Sequence, residues 1–343
     1  MVKRINVALQ GGGAHGAFTW GVLDRLLDEK DIEIAGISGT SAGALNGAAL
    51  KAGMIHGGRT GAQENLDWLW GKIGAVDNSL LTSWMAGSGP AAVSHALEHS
   101  LPYMMIDTWT RMVSPYSYGP FYTNPLRTIV DEFDYECIAC IDEGPELFIC
   151  ATRVRNGKVR VFKGEDITTD AILASACLPT MFRAVEFFDT ETKQVEAFWD
   201  GGYTGNPALF PLFEGDLPDD IVIVNINPLE RKEVPRTPQQ IQNRINEVSF
   251  NSSLLRELRA IGFVQRLLTE GKLKPGEMNR VLVHMIADDE LMNELSVATK
   301  TLPNPYILNE LKKAGQQAAE RFLSKHKSAL NEQSTIKLED MFN

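Results

Sequence analysis

Basic residues are in short supply: 33 lysines and arginines face 44 aspartates and glutamates in 343 residues, a formal net charge of −11. A general nucleic-acid binder needs a basic surface to engage phosphates, so that class is set aside, although a local basic patch or a lipid substrate is not. Long apolar runs are missing as well, and no uninterrupted stretch could cross a bilayer. The run at the N-terminus is too short and too interrupted by polar residues for a signal peptide. A soluble chain starting near Met1, most simply cytoplasmic, is expected, with peripheral membrane contact compatible. Cysteines number only four: Cys137, Cys140, Cys150 and Cys177. Cys137 and Cys140 form a C-x-x-C, but no second pair or suitably spaced histidine completes a zinc site. A redox pair would sit at a helix start after a strand, and this one follows an acidic, aromatic stretch. Structural thiols are expected, with no metal and no cofactor.

What is present is ordinary globular composition, 44% hydrophobic and 22% charged, enough for a sizeable core. Arg4 to Gln10 is a short β-rich run, followed by Gly11-Gly12-Gly13. Ala17 to Leu27 has helical spacing, Ile32 to Ile37 reads as a strand, and Ala42 to Ala52 as a second helix. Such alternation predicts a parallel sheet with helices on its faces. Residues 75–123 are irregular and read as a cap-like insertion. Asn124-Pro125 then suits a helix start. Glu146 to Val154 and Lys158 to Phe162 flank Asn156-Gly157, a hairpin signal. Further β-rich runs are Val195 to Trp199, Asp220 to Ile226 and Arg280 to Ile286, and long helical patterns occupy 238–271 and 304–325. No linker stands out. The expected organisation is a catalytic core over 4–210, strands and helices over 211–330 completing the same domain, and a tail over 331–343.

Three segments carry chemistry. Gly39-Thr40-Ser41-Ala42-Gly43 has the G-x-S-x-G spacing between a predicted strand and a predicted helix. Gly39 and Gly43 allow the tight turn that lets Ser41 project as a nucleophile, and the helix N-terminus favours negative charge beside it. Gly11-Gly12-Gly13-Ala14-His15-Gly16 follows another strand. Its amides could stabilise an oxyanion or cradle a phosphate, although no G-x-x-x-x-G-K-[ST] is present. Trp199-Asp200-Gly201-Gly202 closes a β-rich run, so Asp200 can stand at the sheet edge near Ser41 and act as its general base.

Together these segments resemble the patatin-like phospholipase family, whose pattern is a Gly-Gly-Gly loop, a G-x-S-x-G nucleophile and a later Asp-Gly-Gly. Ala174 to Phe182 and Asn206-Pro207 are similar to further stretches of that family, so the resemblance covers roughly 4–210. It implies an α/β, three-layer fold: a mainly parallel central sheet, helices on both faces and a helical C-terminal part. It further implies Ser41 as nucleophile, Asp200 as base, the amides of Gly11, Gly12 and Gly13 as oxyanion hole, no metal, and hydrolysis of lipid acyl esters. One departure is His15, where the family commonly has Arg or Lys. A fixed cation becomes a group that titrates near neutrality, which bears on an anionic head group rather than on the acyl chemistry. Its plainer role is a helix-start histidine hydrogen-bonded to nearby backbone.

Three rivals remain. A Ser41–Asp200–His284 triad has α/β-hydrolase order, but only two short runs precede Ser41, and His284 reads as a strand histidine. An acyltransferase would use the same serine with an acceptor other than water. A non-catalytic lipid-binding protein would keep the fold alone. Met- and aromatic-rich Leu101 to Tyr122 reads equally as an acyl pocket, a membrane-contacting lid or packed loop. Head group, chain length and oligomeric state leave no signal in the sequence.

Overall fold

Short runs with both faces buried make the centre of the molecule, as a parallel sheet covered on both sides requires. A computed structural model describes residues 2–74, 89–231, 234–274 and 276–342. Its strands are β1 (Lys3–Leu9), β2 (Ile32–Thr40), β3 (Glu146–Arg153), β4 (Val159–Lys163), β5 (Val185–Asp189), β6 (Gln194–Asp200), β7 (Asp220–Asn225) and β8 (Leu282–Ala287). They form one sheet in the order β5-β6-β3-β2-β1-β7-β8, with β4 also on β3. The five strands β3, β2, β1, β7 and β8 run parallel. Antiparallel β4, β5 and β6 gather at one side, where the Asn156-Gly157 turn joins β3 to β4 as the sequence predicts.

The α-helices are α1 (Gly16–Leu27), α2 (Ala42–Ile73), α3 (Gly89–Glu98), α4 (Leu101–Met112), α5 (Arg127–Val130), α6 (Tyr135–Ala139), α7 (Thr169–Ser175), α8 (Pro238–Thr269), α9 (Asp289–Glu294), α10 (Val297–Thr301) and α11 (Pro305–His326). Helices α1, α2 and α11 cover one face, where Phe18, Leu23, Leu50 and Leu308 meet Ile5, Val7 and Leu9. Helix α8 covers the other, placing Leu254, Leu258 and Ile261 against Ala8, Ile221 and Ile223. Full burial of each large aliphatic side chain contributes about 1.5–3 kcal/mol. This is the three-layer α/β architecture expected from the sequence, with its helical C-terminal part. Among the described residues no helix is long and apolar enough to cross a membrane.

Register explains how distant segments meet. Phe148 to Cys150 of β3 pair with both β2 and β4, so those two strands flank β3 on opposite edges. Ala151 and Thr152 pair with both β4 and β6, which puts β6 on the β2 edge. Strands β2 and β6 therefore lie end to end along one edge of β3, Thr40 opposite Cys150 and Asp200 opposite Ala151.

Some boundaries differ from expectation. Helix α2 does not end near Ala52 but reaches Ile73, broken at Gly57–Gly58, where the backbone leaves helical angles. Of the cap-like insertion, 75–88 lies outside the described residues, while α3 joins α10 through Ser94 and the Ser296 amide, 2.8 Å apart. The tail is docked: the Asn331 amide donates to Asp220 (2.7 Å), the Thr335 amide to the Val283 carbonyl (3.1 Å), and Leu338 is buried.

Candidate active site

The elbow at Ser41 is built by contact. A Cβ on Gly43 would stand 2.1 Å from the Leu9 carbonyl, and one on Gly39 would stand 2.5 Å from the Gly43 carbonyl. Only bare backbone lets α2 start this close to β1. Ser41 itself takes φ 54°, a left-handed conformation that L-residues avoid and that typically costs about 1–3 kcal/mol. Its amide donates to Ser175 Oγ at the end of α7 (2.9 Å), and its carbonyl accepts from Ala44 and Leu45 in the first turn of α2. Backbone on both sides of Ser41 is thus committed, leaving the hydroxyl as its free chemistry.

That hydroxyl lies close enough to the Asp200 carboxylate to favour its anionic form. Asp200 is placed by the β2–β6 abutment and fixed by three bonds. Its amide donates to Cys177 (2.8 Å), its carbonyl accepts from Thr152 Oγ1 (2.8 Å), and its Oδ1 accepts from the Gly202 amide (2.8 Å). Burial pushes its pKa up to about 7, against the hydrogen bonds from Gly202 and Ser41 that favour the anion. Desolvation thus makes this carboxylate far more basic than an exposed aspartate, as a base working near neutrality requires.

The glycine loop lies against the same serine: a Cβ on Gly11 would meet Ser41 Cβ at 2.7 Å. Side chains from far along the chain hold the loop. Asn206 Oδ1 accepts the Gly11 amide (2.7 Å), Asn227 Nδ2 donates to the Gly11 carbonyl (2.7 Å), and Gln10 Oε1 accepts from the amides of Ile226 and Asn227 (2.9 and 3.0 Å). The Gly11 amide is therefore spoken for. Among the described residues the amides of Gly12 and Gly13 have no acceptor, and they are the open donors. Sequence reasoning gave Ser175, Asn227 and Gln10 no role. Asn206-Pro207 was a signal, but the role of Asn206 was not legible.

His15 is fully buried, with Nε2 2.8 Å from Thr299 Oγ1. Because Thr299 donates its own proton to the Ser296 carbonyl (2.8 Å), it must accept from an Nε2–H tautomer. Burial, then the charges of Lys300 and Arg231, hold the imidazole pKa well below its ordinary value. His15 is a neutral residue bonded to a side chain, rather than to backbone, and does not replace the missing cation. Positive charge sits instead behind the loop. Lys300, Arg231 and Arg244 surround Glu247 at 2.8, 2.6 and 3.4 Å, and Lys300 also reaches Asn227 (3.5 Å). Burial pushes the Glu247 carboxyl up, but Lys300 and Arg231 outweigh it and hold it well below the usual range.

His284 is elsewhere. It lies on β8, with Nε2 3.0 Å from Asp220 and Nδ1 3.1 Å from Thr335. Asp220 begins β7, whereas Ser41 follows the end of β2, so the pair occupies the opposite end of the parallel strands. Both ring nitrogens are engaged, and no triad is assembled.

Exposed apolar side chains and two cavities lie outside the dyad. On α4, Leu101, Met105, Trp109 and Met112 share one face and are exposed, while Tyr103 is buried. The following segment is pinned by Arg183, which donates to the carbonyls of Pro115 (3.1 Å) and Gly119 (2.6 Å) and stacks on Tyr122. The Arg183 carbonyl accepts from Cys177 Sγ (3.0 Å), one bond from Asp200. A cavity of about 390 Å³ opens here between Tyr118, Tyr122, Met181 and Phe182. A cavity of about 760 Å³ lies on the α8 face, among Phe210, Phe213, Ile261 and Val264, and neither Ser41 nor Asp200 lines it.

Residues 7–135 match the family model of patatin-like phospholipases, the family the motifs resemble. The match takes in the glycine loop and Ser41 and stops short of Asp200, whose assignment rests on the geometry above. No curated protein matches the chain. Several solved structures are similar to it, two of which follow. VipD from Legionella pneumophila shares 15% identity over 94% of this chain and 67% of its own, with TM-score 0.42. The ExoU–SpcU complex from the type III secretion system of Pseudomonas aeruginosa shares 16% over 96% of this chain and 61% of the matched one, with TM-score 0.30.

Proposed function

We propose that this chain hydrolyses lipid acyl esters, in the manner of a phospholipase A or lysophospholipase, through a Ser41–Asp200 dyad. The observation that carries the reading is a buried Asp200 carboxylate brought beside Ser41 where β2 and β6 meet on β3, at an elbow flanked by open glycine amides. Asp200 takes the proton as Ser41 Oγ attacks the ester carbonyl. The amides of Gly12 and Gly13 receive the oxyanion, Gly11 shapes the loop through Asn206, and the cations around Glu247 add a favourable field. Collapse expels the alcohol, which takes the proton from Asp200, and leaves an acyl-Ser41. Water, deprotonated by Asp200, then releases the fatty acid. The same acyl-enzyme would serve an acyltransferase. Turnover measured with and without a candidate acyl acceptor separates the two.

Treatment with a fluorophosphonate tests the nucleophile: intact mass should rise by one adduct that maps to the peptide containing Ser41. Labelling that persists in Ser41→Ala would overturn the assignment. Turnover across a panel of phospholipids, lysophospholipids and acylglycerols then identifies the head group.

Two further outcomes are expected. Among the described residues no cluster of metal-ligand side chains adjoins Ser41, so exhaustive chelation should leave short-chain ester turnover unchanged; a large loss restored by one metal ion, in a chain that stays folded after chelation, would refute the dyad mechanism. The exposed α4 face fits a lipid surface, where Trp and long apolar side chains partition well. Met105→Asp with Trp109→Asp should lower turnover of phospholipid vesicles about tenfold or more, a loss of roughly 1.4 kcal/mol or more in binding. Turnover of a soluble ester should stay the same. Equal losses on both substrates would assign α4 a structural role instead.

A further inference from the structure

We propose that His56, Asp134 and Cys137 bind a zinc-like divalent cation that ties the break in α2 to α6. His56 Nε2 stands 2.7 Å from Asp134 Oδ2 and 3.6 Å from Cys137 Sγ. All three ligand atoms lie within 4.8 Å of one another, the one such grouping among the described residues. Zinc bonds of about 2.0–2.3 Å in a tetrahedron set ligand atoms roughly 3.3–3.7 Å apart. Small rotations of side chains that reach solvent would produce that spacing. The C-x-x-C lacked a histidine at any local spacing; the fold supplies one from 81 residues upstream.

One contact supports the assignment. Asp134 Oδ1 accepts the Cys137 amide (3.1 Å), which fixes carboxylate and thiol on one turn and leaves Oδ2 for the ion. On binding, the Cys137 thiol releases its proton to solvent and its sulfur bonds the ion. Bound metal would span the segment where α2 loses helical geometry, directly after His56 at Gly57–Gly58. The site is structural: His56 is about 20 Å along α2 from Ser41 at 1.5 Å per residue.

The test uses the full chain, stripped with chelator and titrated with Co²⁺. One equivalent should bind, with a thiolate-to-metal charge-transfer band that Zn²⁺ removes. Cys137→Ser should abolish the band, and His56→Ala should weaken Zn²⁺ binding at least tenfold. Zn²⁺ should raise the Tm of the wild type and not that of Cys137→Ser. In the native protein, where no variant has to fold, Zn²⁺ should slow iodoacetamide alkylation of Cys137, read by peptide mass. A wild type without a charge-transfer band, a band unchanged in Cys137→Ser, or alkylation indifferent to Zn²⁺ would overturn the proposal. Ser41→Ala should bind metal like the wild type, so failure here leaves the hydrolase reading standing.

Discussion

Ser41→Ala is expected to reduce ester turnover by about 10⁴-fold or more, the scale on which serine hydrolases fail without their nucleophile. The fold should survive, because the hydroxyl is not part of the core and the Ser41 amide still reaches Ser175. Ser41→Gly adds a second readout. At φ 54° the alanine variant keeps the backbone strain, whereas glycine, without a Cβ, relieves it. Both variants should be inactive, with Ser41→Gly melting above Ser41→Ala. A nucleophile held in strain is one a protein would shed if its position were not needed. If Ser41→Ala keeps turnover within tenfold of the wild type, Ser41 is not the nucleophile. If Ser41→Gly melts below Ser41→Ala, the elbow is not strained.

The local parts of this site are legible in the chain, and their assembly is not. Gly39, Ser41 and Gly43 announce a sharp turn because the requirement for bare backbone is written within five residues. Asp200 is legible as the end of a strand, but its meeting with Ser41 depends on β2 and β6 sharing one edge of β3. No local pattern encodes that abutment. Gln10, Ser175, Asn206 and Asn227 act through hydrogen bonds to backbone across up to 217 positions, and a lone polar residue at a strand end looks like any turn residue. The far half of α2 escaped because Gly53, Gly57, Gly58 and Gly61 erase the apolar period there. Strand β5 escaped because its outer face carries exposed Phe188, so its pattern lacks the alternation of a half-buried strand. His56 is the sharpest case: nothing near it in sequence marks it as the partner of a C-x-x-C.

Asp200→Asn should remove most activity, by about 10²–10⁴-fold, the usual worth of a general base. The pH dependence gives the sharper test. Only the carboxylate can take the Ser41 proton, and burial pushes its pKa up to about 7. In the wild type kcat/KM for a soluble ester should therefore rise through pH 7 and level off above it, and in Asp200→Asn the residual rate should lack that step. Stability should move the opposite way. A carboxyl with a folded pKa of about 7 against 3.8 for the free group binds its proton more tightly in the folded state. That contribution is fully present below pH 4 and is lost as pH rises through 7. The difference corresponds to on the order of 4 kcal/mol, at 1.36 kcal/mol per unit. Asparagine carries no charge to bury, so Asp200→Asn should melt above the wild type at pH 8 and approach it at pH 5. His284→Ala should retain most turnover with its pH profile unchanged, because its imidazole serves Asp220 and Thr335 at the far end of the sheet. A folded His284→Ala as inactive as Asp200→Asn would replace the dyad with a histidine triad. A folded Asp200→Asn that keeps wild-type turnover would remove Asp200 from the chemistry.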